Sequence, residues 1–160
     1  MTKLDIHRRF LAQLSTELES ITASARSSFA TATSSEHNAE NKYDTFKLES
    51  SFLARGQAKR VKELTDAVES LQMLPLKELH ANSPIQLSAL VQVEADDGQT
   101  RTLFFCAAAG GETIVVDGEE ITIVTSRSPL GQAVLGKTTG DTFEMKFGPD
   151  TETFKVLSVA

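Results

Sequence analysis

Three carboxylates, Glu36, Glu40 and Asp44, recur at intervals of four residues. A helix beginning near residue 36 would place them on one face, as a row of oxygen donors. A solvated helix N-terminus carries the same kind of row, because the helix dipole favours acids there. Further along, Arg55, Lys59, Arg60 and Lys62 form a basic run with no acid between Glu49 and Glu63, and Arg55 and Lys59 share a helix face. The commonest fate of such a run is a solvated face. Other reactive types are scattered. Ser, His and Asp occur without a nucleophile elbow or local pairing. His7, His37 and His80 lack metal-ligand spacing. Gly110-Gly111 lacks the Lys-Ser/Thr that completes a phosphate loop. Cys106, between Phe105 and Ala107 in a strand-like run, reads as a buried apolar filler.

The elements that must carry these residues fall into two blocks. Residues 4–74 contain no proline and one glycine, Gly56. Leu4, Leu11, Leu18 and Ala25 are seven apart, with Leu14 and Ile21 as companions, which predicts a heptad-patterned helix. Phe52, Val61, Leu64, Val68 and Leu71 repeat the helical spacing. Between them lies the small, polar run Ala30–Asn38, suited to a turn. The pattern predicts an antiparallel helical hairpin over residues 1–75, with arms of about 30 residues, or roughly 45 Å. Arms that long should project with a free tip. Residues 76–84, bracketed by Pro75 and Pro84, read as a linker.

From residue 85 the period changes to two. Leu87–Val93 and Thr102–Ala107 flank Asp97-Gly98, and Thr113–Val116 and Ile121–Val124 flank Asp117-Gly118. Asp-Gly between β-rich runs is a strong hairpin signal. Phe143, Met145 and Phe147 alternate, Gly148-Pro149-Asp150 turns the chain, and Phe154 and Val156 alternate back. Between these pairs, Ser128 is placed to cap a helix, Pro129 to occupy its first position, Leu130, Ala133 and Val134 to form its apolar face, and Gly136 to end it in the left-handed conformation. The fold class is α+β: a helical hairpin, then an antiparallel sheet with one short helix.

Composition narrows the function. The chain has 160 residues, 40% apolar, with a net charge of −6. Residues 1–80 balance 11 basic against 11 acidic side chains, whereas residues 81–160 hold 5 against 11. An acidic C-terminal half argues against nucleic-acid binding by that half. No apolar run approaches the roughly 20 residues of a membrane span, and the N-terminus lacks the pattern of a signal peptide. One cysteine excludes an internal disulfide. The expectation is a cytoplasmic monomer with no membrane partner.

The segment Ser128-Pro129-Leu130-Gly131, followed by Ala133-Val134-Leu135-Gly136-Lys137 and then Gly140-Asp141, resembles the signature near the C-terminus of the GreA/GreB family of bacterial transcript cleavage factors. The resemblance is dense over residues 113–160. Over the hairpin it reduces to Asn38-Ala39-Glu40, part of the family's tip motif. It implies an FKBP-like C-terminal domain that docks on core RNA polymerase, with Ser128, Pro129, Leu130, Gly131, Lys137, Gly140 and Asp141 as docking residues. It implies a hairpin entering the secondary channel, with His37 at the tip and the basic run meeting the nascent RNA 3′ end or the polymerase. Just beyond the tip, Tyr43 and Phe46 are placed to contact polymerase or to serve the hairpin itself; Tyr43 reads as a tip contact and Phe46 as packed on the first helix.

In that family tip carboxylates help hold a Mg²⁺ shared with the polymerase active site, a hard ion that takes oxygen ligands. The factor has no cofactor or metal of its own and is not an enzyme by itself. With Asn38-Ala39-Glu40 in register, the positions of those acids fall on Ser34 and His37, neither of them acidic. This departure implies a factor that competes with or modulates cleavage. One alternative is a true cleavage factor that uses Glu36, Glu40 or Asp44. Another, from a different class, is a coiled-coil adaptor or chaperone with an FKBP-like binding domain.

Overall fold

The structure is a computed structural model. It describes residues 2–33 and 41–160, and of residues 28, 29, 31–33 and 41–52 it describes the backbone alone. The element order is α1 (Lys3–Thr33), α2 (Asn41–Gln72), β1 (Leu90–Ala95), β2 (Thr100–Phe105), β3 (Thr113–Val116), β4 (Glu119–Val124), α3 (Pro129–Val134), β5 (Thr142–Phe147) and β6 (Asp150–Val159). The hairpin and the sheet with one short helix are therefore present. Ala30–Thr33, expected in the turn, continue α1.

The chain divides into two compact units, and the divisions fall inside the helices. Met1–Leu11 and Ser70–Ala160 form one unit, and Ala12–Glu69 forms the other. The physical reason lies in the apolar residues at the start of α1. Ile6 and Phe10 are fully buried while Leu4 of the heptad series is exposed. Phe10 stacks on Phe104 of β2, with centroids 6.1 Å apart and planes 11° apart. His7 Nε2 donates to the Leu71 carbonyl at 2.7 Å, tying the start of α1 to the end of α2. In the other unit Leu14, Ala54, Leu64, Ala67 and Val68 are buried, and Arg60 binds Glu17 across the two helices at 2.6 Å.

The sheet has the order β3-β4-β2-β1-β6-β5. It is mixed rather than antiparallel throughout: β2 and β4 run parallel, with Thr102 opposite Ile121 and Phe105 opposite Val124. Alternating apolar residues identify strands but not their neighbours. The Asp-Gly signals fix only the local pairs, and the chain leaves β2, makes the β3–β4 hairpin and lays β4 back beside β2. The local pairs follow the turn chemistry. Asp117 and Gly118 both take positive φ, 54° and 84°, and Val116 pairs with Glu119, as a type I′ turn requires. Gly148 opens the β5–β6 turn at φ 63°, with Phe147 opposite Asp150. The run expected as a strand from Leu87 is broken by Ser88, buried with φ 70°, so β1 begins at Leu90.

One sheet face forms the main core of its unit. Val91, Val93, Leu103, Phe105, Phe154 and Val156 cluster there with Val134 of α3, and Leu130 and Ala133 pack against them. Phe143 stacks on Phe154 at 5.4 Å. Phe104, Ile121 and Ile123 share the opposite face by register and are fully buried. Cys106 is buried and its amide bonds the Val124 carbonyl at 2.9 Å.

Candidate functional site

The signature segment is built from local chemistry outward. Ser128 Oγ accepts from the Gly131 amide at 3.0 Å and donates to the Thr125 carbonyl at 2.9 Å, so one hydroxyl caps α3 and anchors it to the end of β4. Pro129 begins the helix, where a missing N–H costs nothing. Gly131 is buried, and a Cβ there would lie 1.8 Å from the Thr125 carbonyl oxygen. Glycine is thus required where α3 crosses the exit of β4. Gly136 takes φ 76°, and its amide bonds the Ile85 carbonyl at 2.9 Å. Lys137 returns that bond, its carbonyl accepting from Ile85 at 2.8 Å. Gly140 takes φ 93° and its amide bonds Val156 at 2.8 Å. Asp141 Oδ2 accepts from the Thr138 amide at 2.7 Å and from the Thr138 hydroxyl at 3.1 Å. Those bonds, the backbone one foremost, hold its carboxyl below the usual carboxylate range.

Most residues singled out for docking therefore have a folding role. Ser128, Gly131, Gly140 and Asp141 make a cap, a close approach, a left-handed turn and a side-chain turn. Leu130 packs on the core. Pro129 and Asp141 are exposed and Lys137 is half-buried, so these leave side-chain surface on the segment, beside the exposed Leu135. Sequence reasoning identified the cap and Gly136. It missed the approach of Gly131 to Thr125, for which a glycine inside a six-residue helix is the available signal.

The basic run does not form one uncompensated patch. Arg60 turns to Glu17, with Nε and Nη2 both donating to Oε1 at 3.1 and 2.6 Å. Lys62 Nζ donates to Asp66 at 2.8 Å, which raises the lysine's proton affinity. Lys59 lies 3.9 Å from Glu63. Arg55, Lys59 and Lys62 are exposed and stand at i, i+4 and i+7, one face of α2. The i+4 acids were legible as Lys59–Glu63 and Lys62–Asp66 spacings; Glu17, 43 residues from Arg60, was not. Glu36, Glu40 and His37 lie outside the described residues, as do the side chains of Asp44, Tyr43 and Phe46. Among the described residues no group of three or more His, Cys, Asp or Glu could hold a metal ion, and no helix is long and apolar enough to cross a membrane.

No protein-family model matches this chain, and no curated protein does. Among solved structures, the chain is similar to GreA factor homolog 1 of Thermus thermophilus, at 18% identity over 94% of each chain with a TM-score of 0.38. It is similar to the same factor of Thermus aquaticus, at 18% identity over 92% of each chain with a TM-score of 0.39. It is similar to a prokaryotic transcription elongation factor GreA/GreB of Nitrosomonas europaea, at 16% identity over 60% of this chain and 77% of that one, with a TM-score of 0.36.

Proposed function

We propose that this protein is a Gre-like regulator of transcription elongation that binds core RNA polymerase and places its helical hairpin in the secondary channel. The observation that carries the reading is a conjunction. The Ser128–Asp141 signature folds as a capped helix and turn on the sheet, and it follows a pair of helices of 31 and 32 residues. A small domain needs no helices of that length for its own core. In this reading the exposed Arg55, Lys59 and Lys62 face the walls of the channel or the RNA 3′ segment, and Pro129 and Lys137 contribute to docking. The protein acts through the polymerase active site and is not an enzyme alone. It works in the cytoplasm.

The tip sequence sets the direction of the effect. Ser34 and His37 stand at the positions where the family resemblance expects acids. A neutral hydroxyl and an imidazole make poor partners for the hard Mg²⁺ ion that the polymerase supplies. The protein therefore occupies the channel without stimulating cleavage, and it displaces factors that do. A backtracked polymerase complex tests this. Wild-type protein should leave cleavage unstimulated and suppress stimulation by an added cleavage factor. The double change Ser34→Asp with His37→Glu should raise cleavage. Efficient cleavage by the wild type, lost in Glu36→Ala, Glu40→Ala or Asp44→Ala, would move the acids to those positions. No effect of either kind at saturation would favour the adaptor reading.

A further inference from the structure

The sheet has two edges, and they differ. The β5 edge carries Glu144 and Lys146 between its apolar residues, the charged guard that keeps an edge from pairing. The β3 edge, Thr113-Ile114-Val115-Val116, has no charge, no proline and no glycine. Because the two-residue turn makes Val116 and Glu119 a bonded pair, Ile114 and Val116 bond inward to β4, and Val115 directs its N–H and C=O outward. No strand lies outside β3 among the described residues. Val115 is 64% exposed, and its side chain lies on the same face as that of its partner Glu120.

We propose that the outer edge of β3 is a docking strand for an extended, lysine- or arginine-bearing segment of another protein. Charge specifies the occupant. Between Arg101 and Arg127 the chain contains four acids, Glu112, Asp117, Glu119 and Glu120, and no Lys or Arg. Asp117, Glu119 and Glu120 also border a concavity of about 620 Å³ beside the turn, in which Arg101 is the one basic residue among the described residues. Arg101 is already committed, 5.1 Å over the Phe154 ring and 3.8 Å from Glu152. Glu119 accepts from the Thr102 hydroxyl; Asp117 and Glu120 are exposed. A second copy of this chain would set Asp117 and Glu120 against the same acids, a repulsion where a basic strand gains attraction. Strand addition supplies main-chain bonds, and the flanking acids supply selectivity. With four residues in the edge, the contact is weak and salt-sensitive.

The test uses the full chain and needs no polymerase, so its failure and that of the polymerase reading are separable. A short end-capped peptide alternating lysine and valine is titrated at low salt, and backbone amide shifts are followed by NMR. Shifts should centre on Val115 and its neighbours in β3, and the same peptide alternating glutamate and valine should leave them unmoved. Val115→Pro removes an outward N–H while sparing the bonds to β4, and it should weaken binding roughly tenfold. Val115→Lys, which keeps the backbone and adds a repelling cation, should weaken it comparably and covers the case in which the proline variant does not fold. Equal binding by the glutamate peptide, shifts centred on another element, or undiminished binding by folded variants would each overturn the proposal. So would β3 shifts that depend on protein concentration without peptide, since the occupant would then be a second copy.

Discussion

Replacing Gly131 by alanine sets two physical effects against each other, and the structure fixes which wins. In a free helix Gly→Ala stabilises by about 1 kcal/mol. Here the added Cβ would sit 1.8 Å from the Thr125 carbonyl oxygen, 2.7 Å from its carbon and 2.9 Å from Ser128 Oγ. The nearest atoms are backbone, so α3 must move away from the end of β4. That displacement costs about 1–3 kcal/mol as overpacking. It also stretches the Ser128 cap, which is worth about 1 kcal/mol. The net expectation is a loss of roughly 2 kcal/mol, or about 4–8 °C in Tm for a chain of this size. The assay is thermal unfolding by circular dichroism, with the amide signals of Val134 and Phe143 reporting the affected unit. Gly56→Ala is the control: Gly56 is exposed in α2 with nothing within 4 Å of its Cβ position, so it should gain up to about 1 kcal/mol. An unchanged or raised Tm for Gly131→Ala would refute the close-approach argument.

Other consequences are equally open to measurement. At Gly136 an added Cβ has no atom within 4 Å, but Gly136→Val places a β-branched residue at φ 76°. Urea unfolding should show a loss of about 1–2 kcal/mol. Asp141 has a carboxyl held below its ordinary range by Thr138. Its contribution is complete above the unfolded value of about 4 and is lost as pH falls through the lower native value. Asp141→Asn should therefore flatten that part of the acid limb when urea midpoints are compared across it. Burial pushes the Cys106 thiol up to about 12, so a thiol reagent at neutral pH should label unfolded protein readily and native protein only through opening. Rapid stoichiometric labelling of the native state would contradict that burial.

What the sequence discloses tracks what local chemistry determines. Ser128, Pro129 and Gly136 define α3 because capping and left-handed closure involve residues within one turn of each other. Asp117-Gly118 defines the β3–β4 hairpin for the same reason. The parallel pairing of β2 with β4 was not legible, since Thr102 and Ile121 meet only after the chain makes a hairpin between them. The heptad spacing of Leu4, Leu11 and Leu18 pointed to a helix, yet the fully buried stripe is Ile6, Phe10 and Leu14. Phe10 is buried because the start of α1 lies against Phe104, a contact 94 residues distant in the chain. The candidate site divides in the same way. The signature segment was found by its residues, while the pairing of Arg60 with Glu17 depends on how two helices align.

The most direct test of the polymerase reading asks where the tip goes. A photo-crosslinking residue placed at position 37 of the full-length protein, bound to core RNA polymerase, reports the surface that the tip touches. The expected result is covalent capture of polymerase segments lining the secondary channel next to the catalytic centre, suppressed by an excess of an unlabelled cleavage factor. Capture confined to the outer surface of the enzyme, or no capture under conditions in which the two proteins co-purify, would contradict it.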